Sequence, residues 1–358
     1  MRKRLLMLVA ALLFGGAGCV SFGSKTVQGP MGVFRSNDKG ETWQQANTFP
    51  TTKGVSSLAG VKVYKLFTDP SDPNAIYLGS RGQGLYYSYN RGESWQKVES
   101  LGNRFIYSVA VDPKDKCTIY VTDGAEIVKT TDCSRTWKRV YTEQRGERIV
   151  GVAVDYGSSN MIFTALSSGQ LLRSTNSGDS WRAIKTFNTG VQYITADPFT
   201  PNRIYVAGLN SGLIRTDNGG DTWIPLTTSL QNFANSLDFY RLIFHPTEKD
   251  ALYWISKYGI LFSKDAGQTW NAMQLLSPPG SVNIYSFAIG SKNPKEMYYV
   301  GTVFGEKGAS RSTFYKSVDG GSNWVTKKMP TNTVPVTLLT HPDDNNILFM
   351  GFTIPDEK

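Results

Sequence analysis

A chain of 358 residues that is 40% hydrophobic and 12% aromatic carries ample apolar side chain for one large core, and its 35 glycines point to many turns. The net charge of +9 favours anionic partners, but the basic residues are scattered and no DNA- or RNA-binding motif accompanies them, which excludes nucleic acid. Only 2 histidines are present, leaving no histidine cluster for a metal or for a nucleophile's base, and nothing calls for a cofactor.

The chain begins with the basic Arg2-Lys3-Arg4, then an apolar run from Leu5 to Phe14, then Gly15-Gly16-Ala17-Gly18-Cys19. This order reads as a secretory leader, too short to span a bilayer. Ala17 and Gly18 before Cys19 resemble a bacterial lipobox, although Gly16 stands where Leu is usual. The resemblance implies cleavage before Cys19 and lipidation of its sulfur. The expected organisation is a signal peptide over 1–18, a lipidated tether over 19–30 and one folded domain over 31–358. Val20 is not Asp, so in a Gram-negative envelope the usual sorting rule favours the outer membrane. No other run is long and apolar enough to span.

From Ser36 onward one motif recurs seven times, from Ser36-Asn-Asp-Lys-Gly-Glu-Thr-Trp43 to Ser317-Val-Asp-Gly-Gly-Ser-Asn-Trp324. Its closing tryptophans are Trp43, Trp95, Trp137, Trp181, Trp223, Trp270 and Trp324, spaced 42 to 54 residues apart. The Asp or Asn can accept backbone N–H bonds, the Gly suits a positive φ, and the Trp needs burial. Each copy therefore reads as a rigid turn between strands. Exposed motif positions such as Lys39 and Gln268 are expected to be inert. A second series interleaves: apolar strands ending at Asp69-Pro70, Asp112-Pro113, Asp155, Asp197-Pro198, His245-Pro246, Gly290 and His341-Pro342, each followed by an aromatic eight residues on. Both histidines thus occupy turn-anchor slots. Tyr107–Val111, Thr118–Val121, Ile127–Lys129 and the run from Trp137 read as strands A to D of one antiparallel unit. Four strands per repeat of this length make a propeller blade.

The first motif turn lacks strands A and B before it, and the last A–B pair, Val336 to Gly351, lacks a motif turn after it. Together they complete one blade. The expected fold is all-β, a seven-bladed β-propeller closed by a blade shared between the two ends, with residues 33–46 pairing with 336–352. Cys117 precedes strand B of its blade and Cys133 follows strand C. Across that hairpin the two face each other, so a disulfide is expected.

The motif resembles the Asp-box, or BNR, repeat, over roughly residues 31 to 354. Similar repeats occur in sialidases, xyloglucan-cleaving hydrolases, sortilin-type (VPS10) receptors and photosystem II stability/assembly factor-like proteins. The last group has single seven-bladed rings and matches in size. Sialidases carry an Arg-Ile-Pro element, absent here. Xyloglucan hydrolases place an acid in the first blade's B–C turn, where this chain has Gly79-Ser-Arg-Gly-Gln-Gly84. Both departures argue against carrying those two activities over to this chain. The carboxylates outside the repeat, Glu143, Glu147, Asp238 and Glu306, form no visible acid–base pair.

Function is expected at the end carrying the D–A and B–C connections, because the variable segments gather there: Gln44 to Leu58, Tyr141 to Arg148, Thr227 to Asp238, Gln274 to Asn283 and Phe304 to Ser312. Strand-A starts and turns at this end carry Tyr64, Lys65, Arg81, Arg104, Tyr107, Arg148, Tyr193, Tyr240, Arg241 and Tyr285 as the candidate binding residues. Tyrosine recurs at one slot in Tyr64, Tyr107, Tyr240 and Tyr285. Tyr and Arg are residues that carry binding energy at protein interfaces. The expectation is an envelope-anchored binding or assembly platform for an envelope or membrane protein, with acidic glycan a further ligand class. A glycan-active hydrolase is the alternative.

Overall fold

The computed structural model describes residues 29–52, 54–305 and 310–354. The leader, Cys19, most of the tether and Glu306 lie outside the described residues. Within them, seven four-stranded antiparallel sheets form the blades of a β-propeller. Blade 1 contains Val63–Thr68, Ile76–Ser80, Leu85–Ser88 and Gln96–Lys97 as strands A to D. Blades 2 to 6 follow in sequence, their A strands being Ser108–Asp112, Ile149–Val154, Val191–Ala196, Phe239–Phe244 and Asn283–Ile289. Blade 7 takes strands A and B from Val334–Thr340 and Leu348–Thr353, and strands C and D from Gly32–Ser36 and Gln44–Gln45. The two ends of the chain meet in five paired positions, from Gly32 opposite Phe352 to Ser36 opposite Leu348. This closure removes the open sheet edges of a linear array.

Two local hydrogen-bond devices set where strands stop. In the motif turn, Ser36 Oγ accepts from Gly40 N–H at 2.8 Å, Asp38 Oδ1 accepts from Thr42 N–H at 2.8 Å, and Thr42 Oγ1 donates to Asp38 Oδ2 at 2.6 Å. Gly40 has φ +80°, and a Cβ there would lie 2.5 Å from the Phe314 ring, so both conformation and space require glycine. Where Asn replaces Asp, as in Asn90, the amide oxygen keeps the backbone bond and Nδ2 donates to Ser94 Oγ. The second device is the A–B anchor. Asp69 Oδ1 accepts from the N–H groups of Ser71 and Asp72 at 2.8 and 3.0 Å. His245 Nδ1 does the same for Thr247 and Glu248, and His341 Nδ1 for Asp343 and Asp344. The imidazole replaces the carboxylate as acceptor. Burial lowers the pKa of both histidines, which favours the neutral ring this role needs.

The tryptophans fasten neighbouring blades. Trp95 is fully buried, and its Nε1 donates to Ala46 O of the preceding blade at 2.7 Å. Trp181 and Trp324 repeat the bond to Val140 O and Gln274 O. Trp95 packs in one apolar cluster with Val33 and Phe349 of blade 7 and Val63 and Leu78 of blade 1. Trp95→Ala is expected to cost about 3–5 kcal/mol, as for other buried Trp truncations. Chemical denaturation reads this as a lowered midpoint.

Cys117 and Cys133 are joined by a disulfide within blade 2, between the start of strand B and the turn after strand C. Cys133 and Ser134 stand at φ +56° and +70°, in the one copy of the motif without glycine. The Gln44 to Leu58 segment, expected as a loop, contains a two-stranded ribbon pairing Thr48–Thr51 with Gly54–Ser57. Phe49 of that ribbon packs edge-on against Tyr86. Alternation over so short a segment gave no strand signal. Lys39 also differs from its expected inert role. Its Nζ lies 2.6 Å from the buried Glu296 carboxylate and bridges blades 6 and 7.

The motif carboxylates make stability depend on acid. Thr136 bonds hold Asp132 down to about 2, and Asn323 bonds hold Asp319 down to about 2, against 3.8 in an unfolded chain. Their contribution is complete above the unfolded value and is lost as pH falls through about 2. The melting temperature is therefore expected to fall between pH 4 and pH 2, with a shallower fall in Asp132→Asn/Asp319→Asn.

Candidate functional site

The seven A strands surround a central channel of about 1180 Å³. Six of them carry an irregularity in their A–B pairing at the end where the chain enters: Val63/Lys65, Ile149/Gly151, Val191/Tyr193, Phe239/Arg241, Ile284/Ser286 and Pro335/Thr337. Such a bulge sets two residues against one and re-aims a side chain. The extra residues include Tyr64, Gln192, Tyr240, Tyr285 and Val336, all of which line the channel. Three of the four recurrent tyrosines, Tyr64, Tyr240 and Tyr285, thus stand in bulges, while Tyr107 precedes a strand A that is regular at that end.

Tyr64, Lys65, Arg81, Arg148, Tyr193, Tyr240, Arg241 and Tyr285 all line this cavity. The other two expected residues do not. Arg104 lies against its own blade, where it pairs with Asp123 at 3.0 Å and with Glu126, so its charge is already matched. Tyr107 sits one layer out, stacked on Phe105 at 4.2 Å and 5.9 Å from Tyr64. It supports the Arg148 guanidinium, which lies 5.4 Å from its ring centre. A second aromatic run, Tyr240 to Tyr285 at 5.1 Å and Tyr285 to Phe304 at 6.4 Å, faces it from blades 5 and 6. Gln192 and Phe304 were missed in the sequence. Gln192 occupies the bulge slot without its usual residue type, and Phe304 extends strand B into a connection expected to be loop.

At the centre, Arg241 spans three blades. Its Nε donates to Tyr285 O at 2.7 Å and its Nη2 to Val336 O. Lys65 Nζ lies 4.7 Å from the Tyr193 ring centre and 5.2 Å from that of Phe67, with no ion pair among the described residues. Lys65 is half-buried and faces the channel. Burial, reinforced by the like charge of Arg241, lowers its pKa to about 7. Burial likewise raises Tyr64 and Tyr193, keeping both hydroxyls protonated.

The described wall of the channel includes Lys65, Arg81, Arg148 and Arg241 and, in an A–B turn at the opposite end and paired with Asp343, Lys292, but no Asp or Glu. Around the same end, Val55, Leu209, Leu276, Val303 and Phe304 are exposed. The arrangement offers positive charge, hydroxyl donors and aromatic faces inside an apolar rim. Among the described residues no group of His, Cys, Asp and Glu can hold a metal. No helix in them is long and apolar enough to cross a membrane.

The Sortilin-Vps10 family, described as sortilin, neurotensin receptor 3, matches residues 31–165 and 169–260. Among curated proteins, xyloglucanase Xgh74A of Acetivibrio thermocellus is 31% identical over 140 residues, which cover 32% of this chain and 16% of that protein. The chain therefore matches only a small part of that relative's length. Among solved structures, the GH74 xyloglucanase from Xanthomonas campestris aligns with a TM-score of 0.63 at 17% identity, covering 82% of this chain and 51% of that one. YCF48 bound to D1 peptide aligns with a TM-score of 0.59 at 19% identity, covering 82% of this chain and 94% of that one. Likeness at these identities establishes the shared propeller fold.

Proposed function

The chain belongs to the Sortilin-Vps10 family, and from that premise we propose that it is a binding or assembly platform at the bacterial cell envelope. It is held to the membrane through lipidated Cys19, and the channel mouth between the D–A and B–C connections takes an anionic segment of an envelope or membrane protein. The observation that carries this reading is a cationic, aromatic channel whose described wall lacks any carboxylate. A half-buried cation without a counter-ion is incompletely compensated, and an incoming carboxylate supplies the missing partner. The apolar rim adds area for the rest of the segment. The peptide in the YCF48 structure supports the reading, since that ring is covered over nearly its whole length.

A fluorescein-labelled acidic peptide tests it. Saturable binding that weakens with salt, with the peptide recovered intact, is expected; equal binding of a lysine-rich peptide of the same length contradicts it.

The alternative, a glycan-active hydrolase, is favoured by the curated relatives, which include xyloglucanases. It requires two carboxylates about 5–10 Å apart across a sugar site. Glu147, whose carboxylate accepts from Ser168 Oγ, is one described carboxylate at the same end. Release of reducing ends from xyloglucan, lost in Glu147→Gln or Glu306→Gln, would replace the binding reading.

A further inference from the structure

Lys65 differs in surroundings from a surface lysine. It projects from the bulged entry of blade 1 into the channel, between the faces of Tyr193 and Phe67. The charged and titratable groups around it are Arg241 from blade 5, Tyr193 from blade 4 and Tyr64 from its own strand, with Tyr156 beyond Tyr193. None is an acid at neutral pH. Arg241 cannot swing away, because Tyr285 O and Val336 O hold its guanidinium. A second cation fixed on the same channel as a half-buried amine without a counter-ion is an arrangement that activates lysine as a nucleophile. Arg148 lines the same channel and can take an anionic group.

We propose that Lys65 is a covalent capture site, condensing its amine with an aldehyde that carries an anionic group. The neutral amine's lone pair attacks the carbonyl carbon. The carbinolamine then loses its hydroxyl as water, giving an imine, with no change of oxidation state. The nearby cations hold the anionic group, and the rings of Tyr193 and Phe67 flank the new C=N bond. This chemistry shares the channel with partner binding but needs no protein partner.

The probe is pyridoxal 5′-phosphate at low molar excess on the full-length protein, with borohydride reduction of the imine to a secondary amine and peptide mapping. At pH 7 the label is expected on Lys65 ahead of exposed lysines such as Lys249 and Lys328. The labelling rate should rise with pH to a midpoint near 7. Pyridoxal, lacking the phosphate, should label Lys65 about tenfold more slowly, one charge-assisted contact fewer. Lys65→Arg should abolish the selective label, and Arg241→Gln should move the midpoint upward. Label spread evenly over surface lysines, or a Lys65 midpoint near that of an ordinary lysine, would overturn the proposal. The wild-type map decides this even if a variant fails to fold. Equal labelling by pyridoxal would overturn the anionic requirement.

Discussion

Deleting residues 348–358 unfolds the entire ring. The deletion removes strand B of blade 7 and leaves Gly32–Ser36 without its partner across five positions. It also removes Leu348, Phe349, Met350 and Phe352, each almost fully buried, which pack against Phe34 on one side and Trp95 on the other. Truncating one such side chain typically costs about 2–5 kcal/mol. Four together, about 8–20 kcal/mol, are as large as the roughly 5–15 kcal/mol that holds a domain folded. The lost strand also reopens sheet edges where the two ends of the described chain pair to close the ring. Differential scanning calorimetry is expected to show no cooperative transition for the truncated protein. A melting temperature within a few degrees of full length would mean that blade 7 frays alone and that closure contributes little.

Lys65→Met combined with Arg148→Gln weakens binding of an acidic peptide by about a hundredfold or more. Each cation contributes a charge-assisted hydrogen bond, about 1.5–3 kcal/mol, in a walled channel where water screens poorly. The melting temperature should stay close to wild type. Neither side chain holds an ion pair among the described residues, and methionine fills the lysine stem's space between Tyr193 and Phe67. Arg104→Ala is the contrasting control. Its guanidinium serves Asp123 and Glu126, so its loss should affect stability and leave peptide affinity within about twofold. Fluorescence polarisation across a salt series reads both. Undiminished affinity in the double variant, or a large loss in Arg104→Ala, would place the binding charge elsewhere.

The fold was legible because its punctuation is local. The motif turn closes within eight residues, through bonds that only Ser or Thr, Asp or Asn, and Gly make well. In six of the seven blades the anchor turn uses one side-chain acceptor, with Gly290 the exception, which explains why His245 and His341 stand where blades 1 to 4 use Asp. Ring closure was legible from the unmatched strands at the two ends. The site was legible as a region, because strand A starts are short and repeat in register. Which of its side chains turn inward was not. Arg104 and Arg241 both lie near a strand A start, Arg104 before its strand and Arg241 within it, yet Arg241 follows a bulge and Arg104 meets two carboxylates of its own blade. A bulge is a property of pairing between two strands, and residue type alone does not report it. The link from Lys39 to Glu296 is hidden for the same reason: it joins residues far apart in the chain through the closed ring.

The most direct test of the account replaces Tyr240 at the channel mouth, and separately Gln268 in a motif turn at the opposite end, with a photo-crosslinking phenylalanine. Each variant is illuminated with the labelled acidic peptide. Crosslinking from position 240, competed by unlabelled peptide and absent from position 268, is the predicted result. Crosslinking from position 268 alone would put the working surface on the other end of the propeller and contradict the account.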